Sequence, residues 1–273
     1  MSYNVPIVSV NIAGGLGNQM FQLASAYAYS KKYSGQLCVL KYKPTNDGRP
    51  LYWDSVLRNF NPYLVDTLPN NLEQWHETEA TEYNQIPSLT SNGIYLNGYL
   101  QSPKYFNNVE EIRELFKPSS KMLEYINEKY NYLLENRERV IVVHARRTDY
   151  LKDDYIIKFH GPLTVDYYKE GIKRMCQNVN NPILLLSSDD SQFWKDISKD
   201  IPELNIAYIV NDNEINTLTL LQQFQYYIIA NSTFSWWAAW LANAKKVIAP
   251  SKWFGPYGPK KYSDIYVPSW ELI

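Results

Sequence analysis

The stretch Val140–Tyr150 reads VIVVHARRTDY, and it changes character halfway. Val140, Ile141, Val142 and Val143 are consecutive β-type apolar residues, which predicts a strand buried on both faces of a parallel sheet. The run then breaks into His144, Arg146, Arg147 and Asp149. In a doubly wound sheet, ligands collect just beyond the carboxyl ends of the strands, where a loop presents side chains without disturbing the sheet. Two arginines there point to an anion, because a guanidinium is permanently charged and donates in a flat fork that fits phosphate oxygens. Such a pair can neutralise a pyrophosphate without a metal. Asp149 can hold one fork in place, and His144 can donate or accept toward a base or a ribose. The alternative is a surface Arg pair with an exposed salt bridge, the commoner fate of adjacent arginines.

Downstream, the strand Ile183–Ser187 ends in Ser188, Asp189 and Asp190. A carboxylate at that place can accept paired hydrogen bonds from a guanine edge or from ribose hydroxyls, and it can equally cap the helix that starts near Ser191. Before it, KFHGPLTVDYY leads into a helix over Thr164–Cys176, with Thr164 as its cap. A weaker strand, Asn205–Val210, and a helix, Glu214–Tyr227, continue the alternation. Ile228–Leu241, IIANSTFSWWAAWL, reads as a short strand, then Asn231, Ser232 and Thr233 at a helix N-terminus, then a helix apolar on nearly every face. Such a helix must be buried. Ser232, Thr233 and Ser235, with the free N–H groups of that terminus, would form a neutral phosphate cradle.

Upstream, Ile7–Val10 is a short strand followed by AGGLGNQMFQ. Gly14, Gly15 and Gly17 leave the backbone bare, and a helix over Gln19–Tyr33 follows, with Asn18 in a capping position. The bare turn can approach an anionic or polar ligand closely, although any tight βα connection also favours glycine. After a strand at Gln36–Leu40, Lys43–Pro87 reads as long loops, a length of irregular chain that is often a binding surface. A strand at Ile94–Leu100 and helices over Asn108–Phe116 and Lys121–Arg139 carry the chain into its second half.

Composition narrows the class. Length suits two domains at ~150 residues each. Charge is balanced, 27 Lys+Arg against 28 Asp+Glu, so there is no general case for nucleic acid or an acidic membrane surface. Cys38 and Cys176 are too few for a disulfide framework and lack metal-ligand spacing, which makes a reducing, cytoplasmic setting the default. The opening MSYNVPIVSV lacks the pattern of a signal peptide. No run reaches the ~18 apolar residues of a membrane span. A soluble protein is expected, with peripheral association with membrane-borne acceptors left open.

Seven segments together resemble the α-1,2-fucosyltransferases of glycosyltransferase family 11, in that family's order: GGLGNQMFQ at Gly14–Gln22, GYLQS at Gly98–Ser102, the H-x-R-R-x-D element at His144–Asp149, FHGPL followed by Tyr167–Tyr168, SSDD at Ser187–Asp190, ANSTFSWWAAWL at Ala230–Leu241, and PSKWF at Pro250–Phe254. The resemblance implies an α/β fold of two Rossmann-like halves facing a cleft, GT-B-like, with residues 1–138 on the acceptor side and 139–273 binding the donor. It implies GDP-L-fucose as donor, transfer to a galactose 2-hydroxyl of a glycan with inversion, and no cofactor or required metal; no DxD motif is present. On that basis His144 and Asp189 or Asp190 would lie near guanosine, Arg146 and Arg147 near the phosphates, and Asn231, Ser232, Thr233 and Ser235 close by. Asp149 would orient an arginine. The related protein O-fucosyltransferases place the loop holding Gly15, Gly17 and Asn18 toward the pyrophosphate and fucose, with Asn18 at the reacting centre. The loops of Lys43–Pro87 would shape the acceptor site.

The chain departs from the family at Ala145, at Thr148 where a glycine is usual, and at Thr217 and Leu221–Gln222 in place of an acidic residue and a Met-Ser pair. These departures bear on the donor. Rival readings are a transferase using another GDP-deoxyhexose or acceptor hydroxyl, and a carbohydrate-binding protein on the same scaffold without turnover. A dinucleotide-dependent dehydrogenase lacks its glycine fingerprint here.

Overall fold

The computed structural model describes residues 5–42, 48–197, 201 and 207–273. The chain forms two compact units, Met1–Lys117 with Lys261–Val267, and Pro118–Lys260 with Pro268–Ile273.

The first unit opens with β1 (Ile7–Val10), α1 (Leu16–Lys32), β2 (Gln36–Leu37) and β3 (Val39–Leu40), followed by β4 (Leu64–Val65), β5 (Glu73–His76), β6 (Ile94–Asn97) and α2 (Val109–Leu115). Its main sheet has the order β2-β1-β6-β5, all parallel. The helix α1 is buried along almost its whole length, with Met20, Phe21, Leu23 and Ala24 inaccessible. Burial of a nearly uniform helix holds because its two tyrosine hydroxyls find partners: Tyr27 donates to Glu111 at 2.8 Å and Tyr29 to the Pro87 carbonyl at 2.6 Å. The single strand expected at Gln36–Leu40 is divided at Cys38. The Cys38 N–H still bonds the Val8 carbonyl, while Lys41 N–H bonds Val65, so the chain leaves β1 to build a separate parallel pair, β3-β4.

The second unit contains α3 (Ser120–Glu135), β7 (Val140–Ala145), α4 (Asp154–His160), α5 (Val165–Cys176), β8 (Ile183–Ser188), α6 (Ser191–Ile197), β9 (Ala207–Ile209), α7 (Glu214–Leu221), β10 (Tyr226–Ile228), α8 (Thr233–Leu241), β11 (Lys246–Ala249) and β12 (Glu271–Leu272). Six parallel strands lie in the order β12-β11-β10-β7-β8-β9. All six residues of β7 are buried, His144 included, so the strand continues two residues past the expected break. On one face Ile141, Val143, Leu184, Leu186 and Ile228 pack against Tyr168, Ile172 and Met175 of α5 and Trp194 of α6. The helix α8 is enclosed, and Trp236 packs on Trp237, Trp240 and Trp270 with ring centroids 5.1, 6.0 and 5.6 Å away.

Strand order fixes where a ligand can enter. The chain builds outward from β7 through β8 to β9, then returns to place β10 on the other side of β7. The carboxyl ends of β7 and β10 therefore border a topological switch point, the crevice where open α/β sheets bind ligands.

Several expectations shift. The unit boundary falls at Lys117/Pro118 rather than 138/139 because α3 belongs with α7: Asp212, just before α7, accepts from Lys129 at 2.9 Å and from the hydroxyls of Tyr125 and Tyr130. The helix expected over Glu214–Tyr227 stops at Leu221, and the Tyr227 hydroxyl donates back to the Leu221 and Phe224 carbonyls as β10 begins. The helix α4 was not expected; Asp153 caps it and Gly161, at φ 62°, ends it. The strand expected over Asn205–Val210 is seen as β9, while Asn205 and Ile206 lie outside the described residues, as do residues 43–47 of the expected loops.

Candidate active site

In the second unit the loop after β7 is organised by carboxylates. Asp149 receives the Arg146 fork in bidentate fashion, Nε to Oδ1 at 2.8 Å and Nη2 to Oδ2 at 2.6 Å. Asp189, at the end of β8, accepts the Arg147 N–H at 2.8 Å, the Thr148 N–H at 3.2 Å and the Thr148 hydroxyl, and lies 3.3 Å from Arg146 Nε. Thr148, a departure from the family pattern, thus adds a third donor to Asp189. Burial disfavours the Arg146 charge, but its hydrogen bonds to Asp149 and the charges of both aspartates outweigh that and raise its pKa. Nothing described bonds Arg146 Nη1.

Arg147 is held differently. Its Nη1 donates to the Leu163 carbonyl at 3.2 Å and its guanidinium lies 4.5 Å from the Phe193 ring centroid. Its Nε is buried without a partner among the described residues. Both carboxylates pair with Arg146, so Arg147 is the guanidinium of the loop that makes no ion pair among the described residues.

His144 is 3% exposed, with its ring 5.5 Å from that of Phe234 and its Nδ1 buried and unbonded. Burial, reinforced by the Arg146 charge and only partly opposed by Asp189, pushes its pKa down to about 3. The imidazole is neutral at physiological pH and keeps both a donor and an acceptor nitrogen. Tyr150 stacks on His160, centroids 4.0 Å apart, and donates to the Asn231 carbonyl at 2.8 Å, tying the β7 loop to the β10 loop.

The structure brings His144, Arg146, Arg147, Asp149, Asp189 and residues 231–235 to the carboxyl ends of β7, β8 and β10, but it redistributes their work. Asp190 caps α6 by accepting the Gln192 N–H on Oδ1 at 3.1 Å, and Asp189 is engaged by the backbone and side chain of the β7 loop. Asn231 is a clamp, its Nδ2 donating to the carbonyls of His160 at 2.7 Å and Trp253 at 3.0 Å. Ser235 Oγ turns inward, to the Ser232 carbonyl at 3.2 Å. The helix start at Ser232 and Thr233 is the part of the expected cradle that survives, through backbone N–H groups rather than the Ser235 hydroxyl.

In the first unit Gly15 is the N-cap of α1, and Asn18 lies inside the first turn with its N–H on the Gly15 carbonyl at 3.0 Å, rather than at the cap. Gly14 takes φ +77°, and a Cβ there would come within 2.6 Å of Asn18 Nδ2. Gly17 lies buried inside the same turn. Three glutamines hold this loop. Gln19 donates to the carbonyls of Gly14 and Pro50, and Gln22 accepts from Ala13 and donates to Gly98. Gln101 Nε2 donates to Asn18 Oδ1 at 3.0 Å, which fixes the Asn18 amide.

Glu77, just beyond β5, is a supporting residue that the sequence pattern does not reveal. One oxygen accepts the N–H groups of Tyr99 and Leu100 at 2.8 and 2.9 Å and the other the Tyr105 hydroxyl at 3.2 Å, holding Leu100 at φ 54° beside Gln101. Burial pushes its pKa up to about 7 against the opposing pull of those hydrogen bonds. The only signal in the sequence was the GYLQS turn that it supports, since an acid in an irregular stretch carries no periodicity.

The sequence profile of glycosyl transferase family 11 matches residues 4–273, and the chain belongs to that family of glycosyltransferases. Among curated relatives it is 29% identical over 271 residues to an alpha-1,2-colitosyltransferase of Escherichia coli, covering 91% of this chain and 92% of that protein. It is 23% identical over 280 residues to galactoside 2-alpha-L-fucosyltransferase Sec1 of Mus musculus, covering 96% of this chain and 72% of that one. Among solved structures, NodZ alpha-1,6-fucosyltransferase soaked with GDP-fucose superposes with a TM-score of 0.57 at 13% identity, over 91% of this chain and 96% of that one. The fold is the GT-B-like one expected, α/β with two units on parallel sheets.

Proposed function

We propose that the chain transfers L-fucose from GDP-β-L-fucose to the 2-hydroxyl of a galactose residue in a glycan, with inversion and without a required metal. The observation that carries this reading is the loop after β7, which presents one arginine oriented by two carboxylates and a second whose charge no described carboxylate balances. As the acceptor oxygen bonds to C1 of the sugar, the bond from C1 to the β-phosphate oxygen breaks and its electron pair remains on GDP. The acceptor hydroxyl gives its proton to a base as it attacks. Charge grows on the phosphate during this step, so a fixed guanidinium there stabilises the transition state more than the ground state. Arg146 Nη1 and Arg147 would make these contacts, the N-terminal N–H groups of α8 would add neutral donors, and neutral His144 would face the nucleoside. Asn18, set by Gln101, is assigned to the sugar. The permanent charge of two arginines does the work that a divalent ion does in metal-dependent transferases.

A second reading concerns the donor sugar. One relative is a colitosyltransferase, and colitose is L-fucose without its 3-hydroxyl. Purified protein given lactose with GDP-L-fucose or GDP-L-colitose, with EDTA present, separates the readings. The proposal expects an α-1,2-linked fucosyl product, identified by NMR, and a higher kcat/KM for GDP-L-fucose. A preference for GDP-L-colitose transfers the proposal to that donor, and no transfer from either contradicts it.

A further inference from the structure

We propose that a pocket at the carboxyl ends of β3 and β4 is a pyranose-binding subsite that holds a sugar residue of the glycan acceptor. This rests on the glycosyltransferase reading above. The pocket measures about 500 Å³ and is lined by Lys41, Trp53, Asp54, Asn61, Leu64 and Asp66, within the ~300–1,000 Å³ of small-molecule sites.

Its position follows from the local fold. The bond from Lys41 N–H to the Val65 carbonyl extends the β3-β4 ladder by one residue, so Lys41 and Asp66 stand side by side as the parallel strands end. The Trp53 indole donates Nε1–H to the Lys41 carbonyl at 3.0 Å, which fixes the ring at the pocket wall. A half-buried indole with its polar edge already satisfied offers a flat apolar face, the surface on which the C–H face of a pyranose stacks.

The side chains of Asp54, Asn61 and Asp66 make no hydrogen bond or ion pair among the described residues, so their full accepting capacity is available at the pocket. A carboxylate can accept from two neighbouring sugar hydroxyls at once, and such charge-assisted bonds are the strong ones. Two carboxylates against one lysine leave the pocket net negative. That disfavours a phosphate or an acidic sugar and selects a neutral, polyhydroxylated ligand, a different chemistry from the arginine loop of the second unit.

The test uses the full chain with lactose as acceptor. Two variants are compared with wild type, Trp53→Ala and the double exchange Asp54→Asn/Asp66→Asn; the second keeps side-chain volume and remains informative should the first fail to fold. Acceptor KM is expected to rise about tenfold or more through lost hydrogen bonds to charged groups. GDP affinity and the hydrolysis of donor without acceptor stay unchanged. An acceptor KM within about twofold of wild type in a folded double variant overturns the subsite. Should wild type not bind GDP, the donor reading fails separately, and saturation-transfer NMR of lactose still decides: transfer to lactose that is lost in the double variant supports the pocket, and no transfer in wild type, or transfer retained in the variant, rejects it.

Discussion

Arg146 and Arg147 are neighbours in the chain with opposite surroundings, and exchanging them tests different things. Arg146→Lys keeps a charge but gives up the planar fork that Asp149 holds. We expect kcat to fall at least tenfold with GDP affinity changed little, measured by initial rates and calorimetry. Glu77 predicts a pH effect on stability. Its carboxyl keeps its proton up to about 7 in the folded protein, whereas an unfolded glutamate releases it near 4.3. Between those values the native state binds more protons than the unfolded state, so this contribution is present below the lower value and lost as pH rises through about 7. Glu77→Gln can leave its carbonyl oxygen on Tyr99 and Leu100 and turn its amide toward Tyr105. The variant should therefore gain stability relative to wild type from pH 5 to 8, at no more than about 1.4 kcal/mol per pH unit; urea denaturation at the two pH values checks this, and a constant difference would refute it. His144, with its pKa depressed to about 3, acts the other way. Its contribution is complete above about 6.5, the ordinary histidine value, and is lost as pH falls toward 3.

At the scale of elements, the site is held by a backbone crossing. Gly255 N–H bonds the Phe159 carbonyl at 2.9 Å, a Cβ on Gly255 would come within 2.3 Å of the Lys158 carbonyl oxygen, and the Asn231 amide bonds His160 and Trp253 across the same junction. Gly255→Ala must push main chain apart, and Asn231→Ala leaves buried carbonyls unpaired. Each should cost about 1–3 kcal/mol, seen as a lower Tm. Here the sequence was legible in part. Val140–Val143 declared a buried strand, and Arg146 with Asp149 declared an ion-pairing loop, because both signals are local. Asn231 and Ser235 were assigned to a ligand because small polar residues at a helix start look alike whether they bond a phosphate or their own backbone. Nothing in a one-dimensional pattern showed that His160 and Trp253 would present their carbonyls to Asn231. The helix over Glu214–Tyr227 was overrun because the break at Gln222–Gln225 contains neither Gly nor Pro, the usual punctuation.

At the scale of the whole molecule, two α/β units share one chain that crosses between them after Lys117, after Lys260 and again after Val267. Chain length and the family resemblance pointed to two units, and the alternation of strands and helices was clear mainly in the second. The membership of Lys261–Val267 in the first unit was hidden, since no motif marks that stretch, while Pro268–Ile273 stays with the second unit as expected and pairs through β12 with β11. Deleting Pro268–Ile273 removes that strand and Trp270, which packs on Trp236, and should lower the Tm of the chain; an unchanged Tm would show that β12 contributes little. Among the described residues no helix is long and apolar enough to cross a membrane, and no group of three or more His, Cys, Asp or Glu side chains is gathered as a metal ion requires. Calorimetric titration with GDP in EDTA, comparing wild type with Arg147→Ala, tests whether the arginine loop clamps the phosphates. The account predicts metal-free binding by wild type that weakens by about tenfold to a hundredfold in the variant, the loss of one charge-assisted phosphate contact. Absence of GDP binding by wild type, or equal affinity in the variant, would contradict it.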